Sequence, residues 1–497
     1  LNASRYTPSS TLQRMELLKT GYMGTLSLGW DNYLFLELTG RQERSSTLKD
    51  QSFFYPSANL SFLFTQAFHM PSWWNYGKLR LSYGIVGNAP ETYTANIVYE
   101  QGSDNGFTWN TIPSSWGNAD IRPEKKYEYE IGLESKFLNN RLGIDISYYN
   151  NRVKDQILST PQPSTSGVKN VLMNVGEVAN HGWDISISAT PILTRDFRWD
   201  LTANYGVYKN KVVKLADGVP YLEILNSGGS GIKIQAVEGQ PMGDIYAQVP
   251  QVNENGEYLV SDKGLYLNQT ELQKVGNINP AGVGGLFNSF SYKNVFLDFS
   301  IDFRIGGDVI NEMNQYATAV GLTPESLKYR DTEHGGLSYY YPGDNNSSGI
   351  PVQVDPSTGA GPNGEIIYHD GIILPGVVAS TGERNTRIIP AGYYYNTTYN
   401  WGTEAEQLTY RHSVFDNSYV KLRELTIGYQ FPEKMISKLG LGRLSVSVFG
   451  RNLFYFYKAL KNYDAESSVG TSWANQATVG SSTTATRSFG VSLRASF

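Results

Sequence analysis

The chain alternates apolar and polar residues over long stretches. In residues 487–497, RSFGVSLRASF, Phe489, Val491, Leu493, Ala495 and Phe497 share one face of a strand, and Ser488, Gly490, Ser492, Arg494 and Ser496 share the other. Side chains point to opposite faces of a strand with period two, so one face is apolar and the other polar. The same two faces recur in residues 20–30 and 32–42, linked at Asp31, and in 57–68 and 78–88. The clearest hairpin joins 124–137 to 141–154. Tyr127, Tyr129, Ile131 and Leu133 oppose Glu128, Glu130, Gly132 and Glu134, and Leu138-Asn139-Asn140 forms the turn, as an Asn pair predicts. Further strands fall at 183–189, 199–207, 286–292, 295–305, 412–431, 443–457 and 485–497. A shorter one lies near 244–249, and 251–264 reads as an inserted hairpin or loop.

This gives about fourteen strands, many of ten or more residues, where globular strands average about five or six. A tilted membrane strand needs about nine to eleven residues. Tight links alternate with long irregular ones, as in outer-membrane barrels, whose periplasmic turns are short and external loops long. Trp30, Tyr83, Trp183, Trp199 and Tyr429 lie near predicted strand ends, where an interfacial girdle would sit; ordinary packing is the alternative for each. The wet, non-apolar face carries Glu128, Glu130, Asp298, Asp302 and Arg304 as a lumen wall. The fold class expected is all-β, a transmembrane antiparallel β-barrel.

Composition adjusts this picture little. The 497 residues include 35 Tyr and 50 Gly, carry a net charge of -5, and contain no Cys. No run of about eighteen apolar residues exists, so no membrane helix is expected. A mean hydropathy of -0.35 does not argue against a barrel, in which every second residue faces a polar lumen. The mild negative charge and the lack of a basic stretch give no reason to expect nucleic acid. The absence of Cys leaves no disulfide framework and no thiolate metal site.

Catalytic signatures are missing. His69, His181, His334, His369 and His412 are scattered, and no metalloprotease, nucleophile-elbow, Walker or dinucleotide motif occurs. Glycine clusters at 227–231 and 282–285 read as turns. The carboxylate pairs Glu128/Glu130 and Asp298/Asp302 fit a wet wall better than an acid–base pair. No cofactor is expected. Calcium has weak candidates at 253–257 and in the loop 338–370, with Asp344, Asp355, Asn363 and Glu365. Aromatic clusters are the candidates for ligand contact: Trp109 and Trp116 in one long loop, and Tyr339, Tyr340, Tyr341, Tyr393, Tyr394, Tyr395 and Trp401 in another. Packing within the loops, or contact with a partner protein, is the alternative. That second loop, 306–411, shows little regular pattern and reads as a long extracellular insertion; long loops of this kind tend to be functional.

Several stretches together resemble the SusC-like TonB-dependent transporters. LRLSYGIVGN at 79–88 is similar to the family's SYG-x-x-GN strand, and 118–158 is similar to its N-x-x-L-x-x-E stretch with FLNNRL, YYN and KDxIL, Ile121 replacing the Leu. NVGEVANHGW at 174–183, EGQPMGDIY at 238–246, 279–308 ending in RIGGDV, SYVKLRELTIGYQFP at 418–432 and GRNLFYFYKALKNYD at 450–464 follow in the family's order. The resemblance implies that residues 1–497 are the C-terminal part of a receptor barrel of about 22 strands, lacking the plug domain. It also implies a multi-pass protein of a Gram-negative, Bacteroidota-type outer membrane, in contact with its lipid. The intact molecule would import oligosaccharides or oligopeptides, capped by a SusD-like surface lipoprotein and driven by the TonB complex through a plug-bearing N-terminal portion. A passive porin is the alternative. An outer-membrane barrel enzyme, which would need a Ser or His constellation near one rim, for example at His412, finds no support in the sequence.

Overall fold

The computed structural model describes residues 14–49, 52–96, 98–104, 107–161, 163, 165, 167–227, 231–343, 349–400, 409–437, 440–467, 472–480 and 485–496. The chain divides into two compact units. One comprises residues 1–189, 208–222 and 237–240; the other comprises 190–207, 223–236 and 241–497. Among the described residues no helix is long and apolar enough to cross a membrane, which says nothing of strands.

The first unit holds β1 (Lys19–Trp30), β2 (Leu34–Ser45), β3 (Ser52–Phe62), β4 (Trp74–Asn88), β5 (Glu124–Phe137), β6 (Leu142–Lys154) and β7 (Glu177–Leu193, up to residue 189). Each pairs antiparallel with the next. The turns have the chemistry that tight hairpins demand. Asp31 and Asn32 have φ of 46° and 58°, and Leu138, Asn139 and Asn140 have φ of 53°, 56° and 61°. Asn and Asp tolerate this left-handed region.

β3 begins five residues earlier than its apolar pattern predicts and ends sooner, followed by the single helical turn Phe64–Ala67. Pro56 hides the early start. It faces Gly40 of β2, but β3 pairs with β4 only from Ser57 onward. At Pro56 the strand is therefore an edge, where a missing N–H costs no ladder bond.

Burial is inverted relative to a water-soluble sheet. Tyr129, Ile131 and Leu133 are 46%, 47% and 39% exposed, while Glu130, Gly132 and Glu134, on the other face of the same strand, are half-buried or buried. Cross-strand rows such as Leu81–Ile131–Tyr148–Trp183 and Leu79–Leu133–Ile146–Ile185 build one continuous apolar face. Aromatic residues bound it at both ends. At the tight-turn end Tyr33, Phe62 and Phe68 meet edge to face, and Trp73 stacks on Trp74 and Phe137. At the other end lie Tyr83, Tyr129, Tyr148 and Trp183, with Tyr148 and Trp183 rings 4.9 Å apart. From Tyr129 to Phe137 the strand rises about 26 Å. With barrel tilt that becomes about 20 Å along the normal, close to the ~25 Å apolar band of outer-membrane barrels. Trp30 and Tyr429 sit at strand ends as expected. Tyr83 and Trp183 lie well inside theirs, because β4 to β7 run on past the upper belt.

The second unit holds β8 (Phe197–Lys214, up to residue 207), β9 (Gly282–Tyr292), β10 (Val295–Ile305), β11 (Tyr419–Gln430), β12 (Arg443–Lys458) and β13 (Ser488–Ser496), again antiparallel in sequence order. Phe489, Val491 and Leu493 are 73%, 72% and 70% exposed. Ser492 alternates with them on the polar face, as the sequence predicts; Phe497 lies outside the described residues. On the apolar face Asn288 is tied down by Trp199, whose Nε1–H donates to its Oδ1 at 3.1 Å. The stretch expected near 244–249 is Asp244–Ala247, in a small antiparallel sheet with Ile232–Val237 and Gln273–Asn277. Its Ile232, Ile234 and Ile245 pack with Ile310 and Val414 into a dry core.

The described residues of 306–411 are folded, contrary to their patternless sequence. They contain α1 (Glu312–Ala319), α2 (Ala391–Tyr399) and a sheet of Val352–Gln353, Leu337–Tyr340, Tyr368–Ile372 and Ile389–Pro390. Strands of two to five residues and helices of eight or nine are too short to show a period.

A charge in the middle of the apolar face should be costly, and one on the polar face should not. Leu133→Arg, midway between the two belts, is expected to destabilise the folded protein in vesicles by about 2–4 kcal/mol. Ser82→Arg, on the polar face, should cost little. Urea titration read by the gel shift between folded and unfolded barrel checks both.

Candidate functional site

The second unit breaks its ladder on both sides of one residue, with a further shift against β12 between Val420 and Lys421. In β11 the pairing skips Arg423 on both sides: Leu422 and Glu424 pair with Ile301 and Ser300 of β10, and with Phe454 and Arg451 of β12. An extra residue in a strand re-aims its side chain. Arg423 uses that freedom to bind the Asp302 carboxylate, to donate from Nη1 to Asn452 Oδ1 at 2.9 Å, and to grip Glu466 with both Nη atoms at 2.8 and 2.6 Å. Lys421, fully buried, reaches Glu466 at 2.5 Å and lies 4.7 Å from the centre of the Tyr455 ring. Burial works against the charge on Glu466, but the Arg423 and Lys421 hydrogen bonds outweigh it and hold its carboxyl at about 2. The segment carrying Glu466 is also fixed by Asn417, whose Nδ2 donates to Ala465 O at 2.9 Å.

The same segment closes one side of a cavity of about 580 Å³. Ala459, Leu460, Lys461 and Asn462 face Asn314 and Thr318 of α1, Glu325, Lys328 and Tyr329, then Tyr394, Tyr395 and Tyr399 of α2, with Tyr266 and His412. Asn462 Nδ2 donates to Asn314 Oδ1 at 3.0 Å. The Tyr395 hydroxyl donates to the Glu325 and Lys328 carbonyls at 2.9 and 3.2 Å, so this ring is structural. His412 stacks on Tyr399 at 4.4 Å and 16°. Burial pushes its imidazole down to about 4, with Arg411 adding to the effect. Burial raises the phenols of Tyr394 and Tyr395, the latter to about 12. All stay neutral hydrogen-bonding groups near pH 7.

The expected aromatic clusters divide. Tyr393 packs behind the cavity against the Leu265, Ile372 and Leu374 core, while Tyr394 and Tyr395 line it. Tyr339 and Tyr341 do not: they are buried in a separate core with Ile388, the Tyr339 hydroxyl donating to Asp370 at 3.1 Å. Tyr340 belongs to the same short strand. Trp401 lies outside the described residues. In the first unit Trp109 sits on a hairpin and half-exposed, and Trp116 in a different small sheet, edge-on to Tyr99 at 6.3 Å. On the polar wall Glu128 accepts from Asn151 at 3.0 Å, Asp298 accepts from Ser289 at 2.6 Å, and Glu130 faces the same side. Arg304 instead caps the end of its strand, donating to Gly306 O and Ile278 O at 3.1 and 3.0 Å.

Tyr266, Tyr329, Tyr399, Arg423 and Glu466 are absent from the sequence reading. For Arg423 a signal exists: apolar positions switch from Val420 and Leu422 to Leu425 and Ile427, a parity slip that marks a bulge.

Among the described residues no group of three or more His, Asp or Glu is placed to hold a metal. At 253–257 the Asn253 side chain accepts from the Asn255 and Glu257 amides, closing a turn on itself. Glu365 is engaged by Asn363 and the Gly343 amide, and Asn363 holds its carboxyl down to about 2. Asp355 accepts from Ser357. Asp344 lies outside the described residues.

His412 gives the cavity a pH dependence. Its folded pKa, about 4, lies below its unfolded value of about 6.5. Between these the unfolded state binds more protons, so the stability His412 contributes is complete above about pH 6.5 and is lost as pH falls toward 4. Hydrogen exchange of the α2 amides, corrected for intrinsic rates, should quicken over this window, and His412→Phe should flatten the response.

Residues 3–250 match the family described as TonB dependent receptor-like, beta-barrel. TonB-dependent receptor P3 of Formosa agariphila is 24% identical over 494 residues, covering 90% of this chain and 42% of that protein. TonB-dependent receptor SusC of Bacteroides thetaiotaomicron is 30% identical over 247 residues, covering 46% of this chain and 24% of that protein. The chain thus spans less than half the length of these relatives. The structure of the RagAB peptide transporter shares its fold, with a TM-score of 0.63 at 18% identity, over 90% of this chain and 45% of that one. With the sheet, the inverted burial and the paired aromatic belts, these likenesses identify the chain as a TonB-dependent receptor-like β-barrel of the outer membrane, similar to SusC, and not as an enzyme.

Proposed function

We propose that this chain forms strand wall and external loops of an importer that carries oligosaccharides, or oligopeptides, across the outer membrane. The observation that carries the reading is the tyrosine-lined cavity. It is built where β10 and β11 are joined by the long connection, the end that faces outward in barrels with short periplasmic turns. Its volume falls within the range of small-ligand sites. Ring faces of Tyr329 and Tyr399 beside Asn314, Asn462, Lys328 and Glu325 suit a sugar, by stacking and hydroxyl hydrogen bonds, and also suit peptide amides and termini. The RagAB neighbour, described as a peptide transporter, keeps the second cargo class in play. In this reading residues 306–411 are an external insertion, a SusD-like surface lipoprotein covers the loops, and a plug-bearing portion of the same receptor couples to the TonB complex.

Isothermal titration of the intact receptor with its lipoprotein, against a panel of oligosaccharides and a panel of short peptides, tests the reading and separates the cargo classes. Tyr329→Ala should lower affinity for the true cargo by about tenfold, the 1–2 kcal/mol typical of a contacted aromatic. Binding of neither panel, or equal binding by the variant, would sink the assignment of this cavity to cargo.

A further inference from the structure

Two lysines in the first unit stand in an arrangement that a sheet ordinarily avoids. Lys125 of β5 and Lys154 of β6 are direct cross-strand partners. They lie on the face that carries Tyr127, Tyr129 and Ile131, the apolar outward face, since alternation along β5 is unbroken there. Lys154 Nζ lies 5.9 Å from the centre of the Tyr127 ring, which confirms the shared side. Like charges directly opposite each other destabilise a sheet.

No carboxylate relieves them. Of the acids nearby, Glu177 is taken by Arg152 at 3.0 Å, Asp155 is paired with Arg122 at 3.7 Å, and Asp217 with Lys214 at 3.4 Å. Glu124 accepts from the Ile157 amide at 2.8 Å and from Asn88. Among the described residues, Lys125 and Lys154 have no anionic partner.

Their height above the membrane supplies one. Lys125 lies four residues beyond the belt residue Tyr129, about 13 Å along the strand and about 10 Å along the normal once tilted. A lysine stem can reach back several ångströms, and the headgroup layer extends about 5–8 Å beyond the hydrocarbon. The lysines also lie at the end bearing the long connections 89–123 and 155–176, the outer-leaflet end. We propose that Lys125 and Lys154 together hold the phosphate of an anionic lipid of the outer leaflet against the outside of the strand wall, with the Tyr127 ring beneath it.

The test uses the intact receptor in detergent, with phosphatidylglycerol and phosphatidylcholine as probes and native mass spectrometry to count retained lipid. Wild type should retain phosphatidylglycerol over phosphatidylcholine by about tenfold or more, since each lysine near an anionic surface contributes on the order of fivefold. K125Q/K154Q should lose that preference, and K125R/K154R should keep it. Lys154→Glu serves as a second readout. It removes the like-charge opposition, so it should abolish retention while raising the urea midpoint in phosphatidylcholine vesicles. Equal retention of the two lipids by wild type, retention by K125Q/K154Q as strong as wild type, displacement by millimolar inorganic phosphate, or a fall in the urea midpoint of Lys154→Glu would each overturn the proposal.

Discussion

Inside a bilayer an unpaired peptide group has no water to turn to, and that constraint governs this chain. Each buried N–H or C=O left without a partner costs several kcal/mol in hydrocarbon, so strands must be long, continuous and paired on both edges at membrane depth. The sheet rows meet this demand from Leu79 to Gly84 and from Lys125 to Lys136 without a break in register. The same ladder decides where an awkward residue can go. Pro56 lies in β3 where pairing is one-sided, and β11 departs from regular pairing with both of its neighbours beside Arg423. With the backbone satisfied internally, the side chains are released from making a core, and the apolar face turns to lipid.

Arg423 shows what a controlled break achieves. A lone exposed ion pair contributes about 0–1 kcal/mol. Here one guanidinium serves a strand carboxylate, a strand amide and a carboxylate of the next connection, with the guanidinium and both carboxylates about a third exposed. Lys421 beside it is buried, and a buried cation is stable only while its counter-charge stays in place. The consequence is positional: removing Glu466 would strand Lys421, so the segment from Ala459 to Glu466 is held to the wall and its first residues are presented to the tyrosine cavity.

The strands were legible in the sequence because a membrane wall needs simple alternation, and the left-handed turn at Leu138-Asn139-Asn140 announces itself by composition. What the sequence concealed has specific causes. The sequence reading starts β3 at residue 57, just past Pro56, and only the pairing shows that this proline stands at an edge within the strand. The fold of the described residues in 306–411 was invisible because its elements are too short to show a period. The cavity joins Tyr266, Tyr329, Tyr399 and Asn462 from four stretches of chain, and no local pattern links them. The tyrosine runs at 339–341 and 393–395 look alike in sequence. They part in the structure because one occupies a strand of a small sheet with its alternate rings buried, and the other a helix that shows two rings to a cavity.

Tyrosine outnumbers phenylalanine, 35 to 21, because this protein asks one ring for two related services. At the upper belt the ring lies against hydrocarbon while the hydroxyl reaches the headgroup layer, as with Tyr83 and Tyr129, which face each other across β4 and β5. In the loop region the hydroxyl is spent on a backbone carbonyl or a carboxylate, and the ring supplies packing area with little rotamer entropy to lose. Tyr395 and Tyr339 are of this kind. Tyr329 is different: it is only partly buried, with Lys328 Nζ 4.7 Å from its ring centre. A phenylalanine there would keep the ring but lose the polar rim. The excess of tyrosine therefore follows from surfaces that meet water at one edge and an apolar or carbohydrate-like face at the other, which describes both the membrane boundary and the cavity wall.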